Sequence, residues 1–114
     1  MKIAVILPHI KKFGGVRRYI SFGKELVARG HTYTIYVIDY KSLDEYTWIR
    51  ELSFSGQLKP IKDIIKDEND VCICGDAGSI KHLDAANAKL KVVNVIFPPW
   101  SKYLLGNYGE ALIT

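Results

Sequence analysis

An adjacent glycine pair, Gly14 and Gly15, stands where an apolar run gives way to a helical pattern, with Lys11 and Lys12 before it and Arg17 and Arg18 after it. Glycine has no Cβ, so the chain turns sharply there and leaves the amides that open a helix accessible. Those amides carry the positive end of the helix dipole and suit a phosphate or another anion. Arg17 and Arg18 oppose that dipole, which a local anionic partner would explain; a solvated face is their ordinary setting. The same glycines also serve a tight strand-to-helix turn with no ligand, and residue types alone leave both readings open.

Two common phosphate motifs fail on spacing. A dinucleotide fingerprint needs G-x-G-x-x-G directly after the strand, whereas residues 8–13 contain no glycine and the pair that follows is adjacent. Asp39, at the end of the next apolar run, is then an isolated ribose-type acid. Gly23-Lys24 imitates the end of a P-loop, but Arg18 stands at its first glycine and Glu25 at its hydroxyl position.

Further candidates lie in three other stretches. His9 precedes the glycines and, as an imidazole able to donate and accept, suits an acceptor hydroxyl or a phosphate, while a solvated loop histidine is the plainer alternative. Asp76, in "CGDAGS", suits a sugar hydroxyl; Asp76 or Ser79 as a helix N-cap is the simpler reading. Trp100, after Pro98 and Pro99, suits stacking on a sugar face or a lipid-linked acceptor, or closure of the core. His31 and His82 have no ligand-spaced partner, so no metal site is expected. Cys72 and Cys74, two apart on a strand, share one face and fit reduced buried thiols.

The elements that must position these groups follow from periodicity. Residues 2–7 form an almost uninterrupted apolar run, the pattern of a strand buried on both faces of a parallel sheet. From Val16 the period changes to three and four: Val16, Tyr19, Ile20, Gly23, Leu26 and Val27 share one helix face, which Gly30 ends as a left-handed cap. Residues 32–38 are a second strand, and strand, helix, strand makes a right-handed βαβ unit. Ser42 and Glu45 form a capping box for a short helix reaching about Arg50, and residues 52–54 give a weak strand signal. Pro60 suits the first turn of a helix over "IKDIIKDE"; strands at 71–74 and 91–97 flank a helix in "GSIKHLDAANA", and residues 111–114 look like a strand beginning. The expected fold is α/β, an open Rossmann-like parallel sheet of five or six strands with helices on both faces.

At 114 residues the chain is one domain's worth, and 48% apolar content with mixed charge excludes a disordered or membrane-spanning class. The apolar run at 3–7, halted by Pro8 and His9, is too short for a signal peptide, so a cytoplasmic chain is expected. Charge is uneven. Residues 1–31 hold seven cations against Glu25 alone, whereas the remainder holds nine cations against eleven anions. A basic end meets nucleic acid, anionic lipid or a phosphorylated ligand. No aromatic platform or reading motif supports nucleic acid, so none is expected. Lys11, Lys12, Arg17 and Arg18 suit peripheral contact with an anionic membrane.

"MKIAVILPHIKKFGGVRRYISFGKELVARGHTYTIYVID" resembles the start of the family 4 glycosyltransferases of the GT-B fold: a strand, a variable loop, GGV, a helix ending in L-x-x-x-GH and a second strand. The likeness runs on more faintly through "NDVCICGD" and "KVVNVIF" to "EALIT". It implies the acceptor-side domain of a two-domain enzyme moving a sugar from a nucleotide-diphosphate donor to a sugar or lipid-linked acceptor. No metal or other cofactor is implied. By that resemblance Gly14 and Gly15 would contact the donor diphosphate through their backbone amides; Arg17 beside them is read as a further donor-phosphate contact, and His9, Asp76 and Trp100, from their types and their place on the binding edge, as acceptor-binding candidates. The family's Glu-x7-Glu pair belongs to its second domain, and Glu25, Glu45, Glu51, Glu68 and Glu110 include no pair so spaced. This part alone would then not turn over. The same sheet edge would also serve a self-standing flavodoxin-like module for a phosphorylated small ligand, or a noncatalytic interaction domain.

Overall fold

A computed structural model describes residues 1–10, 14–40 and 47–94. Its elements are β1 (Lys2–Leu7), α1 (Gly14–Ala28), β2 (Thr32–Val37), α2 (Thr47–Glu51), β3 (Gln57–Pro60), a 3-10 helix (Ile61–Ile65), β4 (Glu68–Cys74), a 3-10 turn (Ala77–Ser79), α3 (Ile80–Ala85) and β5 (Asn87–Val93). The five strands form one sheet in the order β3-β2-β1-β4-β5, and every pair is parallel. The fold is therefore α/β and Rossmann-like.

Central β1 shows why its sequence is continuously apolar. Ile3, Val5 and Leu7 face one side of the sheet, where they pack with Tyr33, Ile35 and Val37 of β2, Val16 and Ile20 of α1 and Ile49 of α2. Ala4 and Ile6 face the other side, with Tyr36, Cys72, Cys74, Ile64 of the 3-10 helix, Leu83 of α3 and Val93. Neither face of β1 meets water, so alternation with polar residues has no place there. The two cysteines are free and fully buried; burial pushes the thiols up, Cys72 to about 12 and Cys74 to about 11, which keeps them protonated and inert.

α1 closes with a two-bond Schellman cap. The His31 amide donates to the Leu26 carbonyl at 3.0 Å and the Gly30 amide to Val27 at 3.0 Å, with Gly30 at a φ of +91°. Midway, a Cβ on Gly23 would overlap the Tyr33 ring, so glycine there lets the helix approach β2. The Tyr33 hydroxyl donates to the Tyr19 carbonyl at 2.8 Å and pins that ring beneath α1.

The later elements depart from the sequence reading. Residues 52–54 are not a strand: Leu52 and Ser53 form a turn after α2, with Ser53 at a φ of 57°, and the strand comes at Gln57–Pro60. Pro60 ends that edge strand rather than opening an α-helix, and only a five-residue 3-10 helix follows before β4 begins at Glu68. α3 is confined to six residues, and β5 starts at Asn87, inside the stretch read as helix. The capping-box residues Ser42 and Glu45, the end of the strand read at 91–97 and the segment 111–114 lie outside the described residues.

A polar network ties β2, β3 and β4 on the second face. The Tyr36 hydroxyl donates to Asp67 at 2.8 Å, Asn69 donates to the Tyr36 oxygen at 3.2 Å, and Lys59 donates to Asp67 at 2.8 Å. The Lys59 bond is the largest influence holding the Asp67 carboxyl below its ordinary range, with the Tyr36 bond assisting against desolvation. A carboxyl lowered in the folded state stabilises the fold above its unfolded pKa, and that stabilisation is lost as pH falls through the folded value. Urea midpoints followed downward from neutrality should therefore fall below about pH 4. Asp67→Asn should flatten that fall; an unchanged acid profile in the variant would show that Asp67 is not responsible.

Candidate functional site

The order of strands reverses between β1 and β4. Chain leaving β1 enters α1 on one face, whereas chain leaving β4 enters α3 on the other, so the two connections diverge at the carboxyl edge. In open parallel sheets ligands occupy the crevice at that switch point. His9, the start of α1, Gly75 and Asp76 all belong to it by position, and Asn94 follows the neighbouring end of β5.

The exit from β1 is held in place. The carbonyls of Leu7 and Pro8 accept from the amides of Ile38 and Asp39, each at 3.0 Å, and the Trp48 indole donates to the Ile10 carbonyl at 2.9 Å. Ile10 itself is buried and His9 is half-buried. α1 then begins at Gly14. Among the described residues a Cβ on Gly15 would meet nothing within 4 Å, and no left-handed φ requires glycine there. Packing against the described residues therefore gives no reason for glycine at 15. Arg17 and Arg18 are exposed in the first turn, which holds no acidic residue.

Across the crevice, Asp76 organises the start of the α3 segment. One oxygen of its exposed carboxylate accepts from the Ser79 hydroxyl at 3.1 Å, and its carbonyl accepts from the Ser79 amide at 3.1 Å and the Cys74 thiol at 3.0 Å. Ser79 lies at the N-cap position of α3 but in helical geometry, and its side chain makes no capping bond. A local role in this turn thus engages the exposed Asp76 through one carboxylate oxygen and its carbonyl.

Tyr19 and Asn94 join this edge without having been singled out from the sequence. The Tyr19 hydroxyl lies against Gly75, so that any side chain at 75 would displace it, and it hydrogen-bonds the Asn94 side chain. Burial is the main reason the Tyr19 phenol is raised above its ordinary pKa, so it stays neutral. The Asn94 amide donates to the Cys74 carbonyl at 2.8 Å, carrying the β4–β5 pairing one residue past the strand. Asn94 was open to detection, because a polar residue interrupts the otherwise apolar "VVNVIF". Tyr19 gave no such signal, since its spacing matches the buried stripe of α1.

Trp100, Lys11 and Lys12 lie outside the described residues. His31 sits at the opposite, amino edge, where the Met1 amino group bonds its Nδ1 at 3.0 Å. His82 is on α3, where burial first and Lys81 second lower its pKa. Among the described residues no three His, Cys, Asp or Glu side chains are grouped to hold a metal, and no helix is long and apolar enough to cross a membrane. No family model, curated protein or solved structure matches the chain.

Proposed function

We propose that this chain is the acceptor-side part of a GT-B glycosyltransferase, in which the start of α1 receives the diphosphate of a nucleotide sugar held mainly by a second domain. The observation that carries the reading is Gly15: a glycine in the first turn of a helix, at the switch-point edge, with no described residue within 4 Å of where a Cβ would stand. Resemblance of residues 1–39 to the family supplies the chemistry. First-turn amides, with no Cβ to hold a ligand away, stabilise charge as it develops on the leaving diphosphate, and Arg17 adds a cation beside them. That assistance is electrostatic and asks no proton transfer of these groups. His9, Asp76 and Trp100 are assigned to the acceptor side, where the exposed carboxylate of Asp76 suits a sugar hydroxyl. The remainder of the donor site belongs, on this reading, to the other domain.

The donor-phosphate assignment is testable on the chain itself. In a 15N-labelled sample titrated with inorganic pyrophosphate at fixed ionic strength, the Gly14 and Gly15 amides should shift saturably, and more weakly with inorganic phosphate. Gly15→Val should weaken the response about tenfold, the loss expected for one hydrogen bond to a charged group. Because a Cβ at 15 meets no described residue within 4 Å, its thermal midpoint should hold. Shifts that never saturate, or a Val variant that responds like the parent, would remove the assignment. A stronger response to inorganic phosphate than to pyrophosphate would favour the module for a singly phosphorylated ligand.

A further inference from the structure

The crevice has two chemically different parts. At the start of α1, backbone amides stand with the exposed Arg17 and Arg18, and an anion is favoured. Around Gly75 the groups are Tyr19 from the second turn of α1, Asn94 after β5 and Asp76, none of them cationic. Asp76 offers a carboxylate, which only accepts hydrogen bonds, and Asn94 a carboxamide, which does both. A phosphate brought to this second part would meet the exposed Asp76 carboxylate as a like charge, whereas an uncharged hydroxyl would meet a partner.

The Tyr19–Asn94 bond leaves both partners incompletely used. It opposes the burial that raises the phenol, as a carboxamide N–H donating to the phenol oxygen does. With the bond in that sense, the Tyr19 proton and the Asn94 carboxamide oxygen are left over, and among the described residues nothing takes up either one. Both side chains are partly exposed, so a ligand in the crevice can reach them. Gly75 points the same way, since the absence of a side chain there is what admits the Tyr19 hydroxyl to this edge. An O–H donor beside a carbonyl acceptor matches the hydroxyls of a sugar ring, which accept and donate in turn.

We infer that Tyr19 and Asn94 bind the uncharged hydroxyls of a sugar ring, with the Tyr19 phenol donating and the Asn94 oxygen accepting. The inference rests on the reading of this chain as the acceptor-side part of a sugar transferase. It adds to that site two residues that select a neutral, hydroxyl-bearing group over a charged one.

A 15N-labelled sample of the 114-residue chain tests this. The Asn94 side-chain NH2 signals and the Gly75 amide should shift saturably with at least one of D-glucose, D-mannose and N-acetyl-D-glucosamine, and not with the open-chain polyol sorbitol. Tyr19→Phe keeps the ring and removes the donor, and should weaken the Gly75 response about fivefold, the effect of one uncharged hydrogen bond. Asn94→Asp is the sharper variant. Its carboxylate keeps a bond to Tyr19 by accepting the phenol proton, so the thermal midpoint should hold while the sugar response is lost; a purely structural tie would lose neither. Absence of a saturable shift with all three ring sugars, an equal shift with sorbitol, or an Asn94→Asp chain that responds like the parent would overturn the inference. So would Asn94 signals that follow inorganic pyrophosphate in place of the sugars. Loss of the sugar response with the pyrophosphate shifts at Gly14 and Gly15 retained would remove this pair alone, whereas a sugar response without those shifts would support the pair and remove the donor-phosphate assignment.

Discussion

Alanine at Gly23 is expected to destabilise the chain by about 2–3 kcal/mol, a large effect for a single methyl group. The added Cβ would fall within the ring of Tyr33, which has no free direction of retreat. That ring is 1% exposed, bonded through its hydroxyl to the Tyr19 carbonyl and flanked edge-on by Phe22 and Phe54. Relief therefore requires α1 to lift from β2, which would disturb the packing of Val16 and Ile20 as well. A thermal midpoint lower by roughly 10 °C is expected, on the scale of about 4 °C per kcal/mol for a domain of this size. Gly15→Ala is the matched control: it adds the same methyl to the same helix with no described residue within 4 Å and should leave the midpoint unchanged or slightly raised. If both variants melt alike, the close approach of α1 and β2 is not what glycine provides.

Ile6→Ala should cost as much or more, about 3–5 kcal/mol. Ile6 has no solvent exposure and sits on the middle strand, between Tyr36 and Cys74 in register and beneath Ile64 and Leu83. Four separate elements would have to move to close the cavity, so little collapse is available to soften the loss. Against a stability of about 5–15 kcal/mol for a typical domain, that is a large share. Urea denaturation should show a lower midpoint with an unchanged slope, and Ile6→Leu, which conserves volume, should recover most of it. A small midpoint change in the alanine variant would mean that the second face packs less tightly around β1 than its burial implies.

The first forty residues were the most legible because three signals agreed: continuous apolar residues for a strand buried on both faces, a 3.6-residue stripe for α1, and Gly30 where a left-handed cap is needed. β3 lacked any comparable signal. "QLKP" has no β-branched residue, and it is a strand because β2 offers a partner edge from Thr34 to Val37. β5 was read too late because Lys89 and Leu90 are exposed on an edge strand, where residues need not look buried. At the candidate site, His9, the glycine pair and Asp76 announced themselves as strand-to-helix connections. The Tyr19–Asn94 bond did not, since it joins residues far apart in sequence whose meeting depends on how α1 lies across the sheet.

The strand order carries a consequence for how the molecule forms. β1 is synthesised well before β4, yet one of its two edges pairs only with β4, Ile3 against Val71 through Ile6 against Cys74. Until that distant segment has left the ribosome, the chain can assemble only the β1-α1-β2 unit and its β3 neighbour, with half of the central strand's hydrogen bonds unmade. Pairing across so long an intervening loop raises contact order and slows folding. The most apolar stretch of the protein must therefore wait longest for its final partner, and during that interval the open edge of β1 is the place where a nascent chain is most exposed to mispairing.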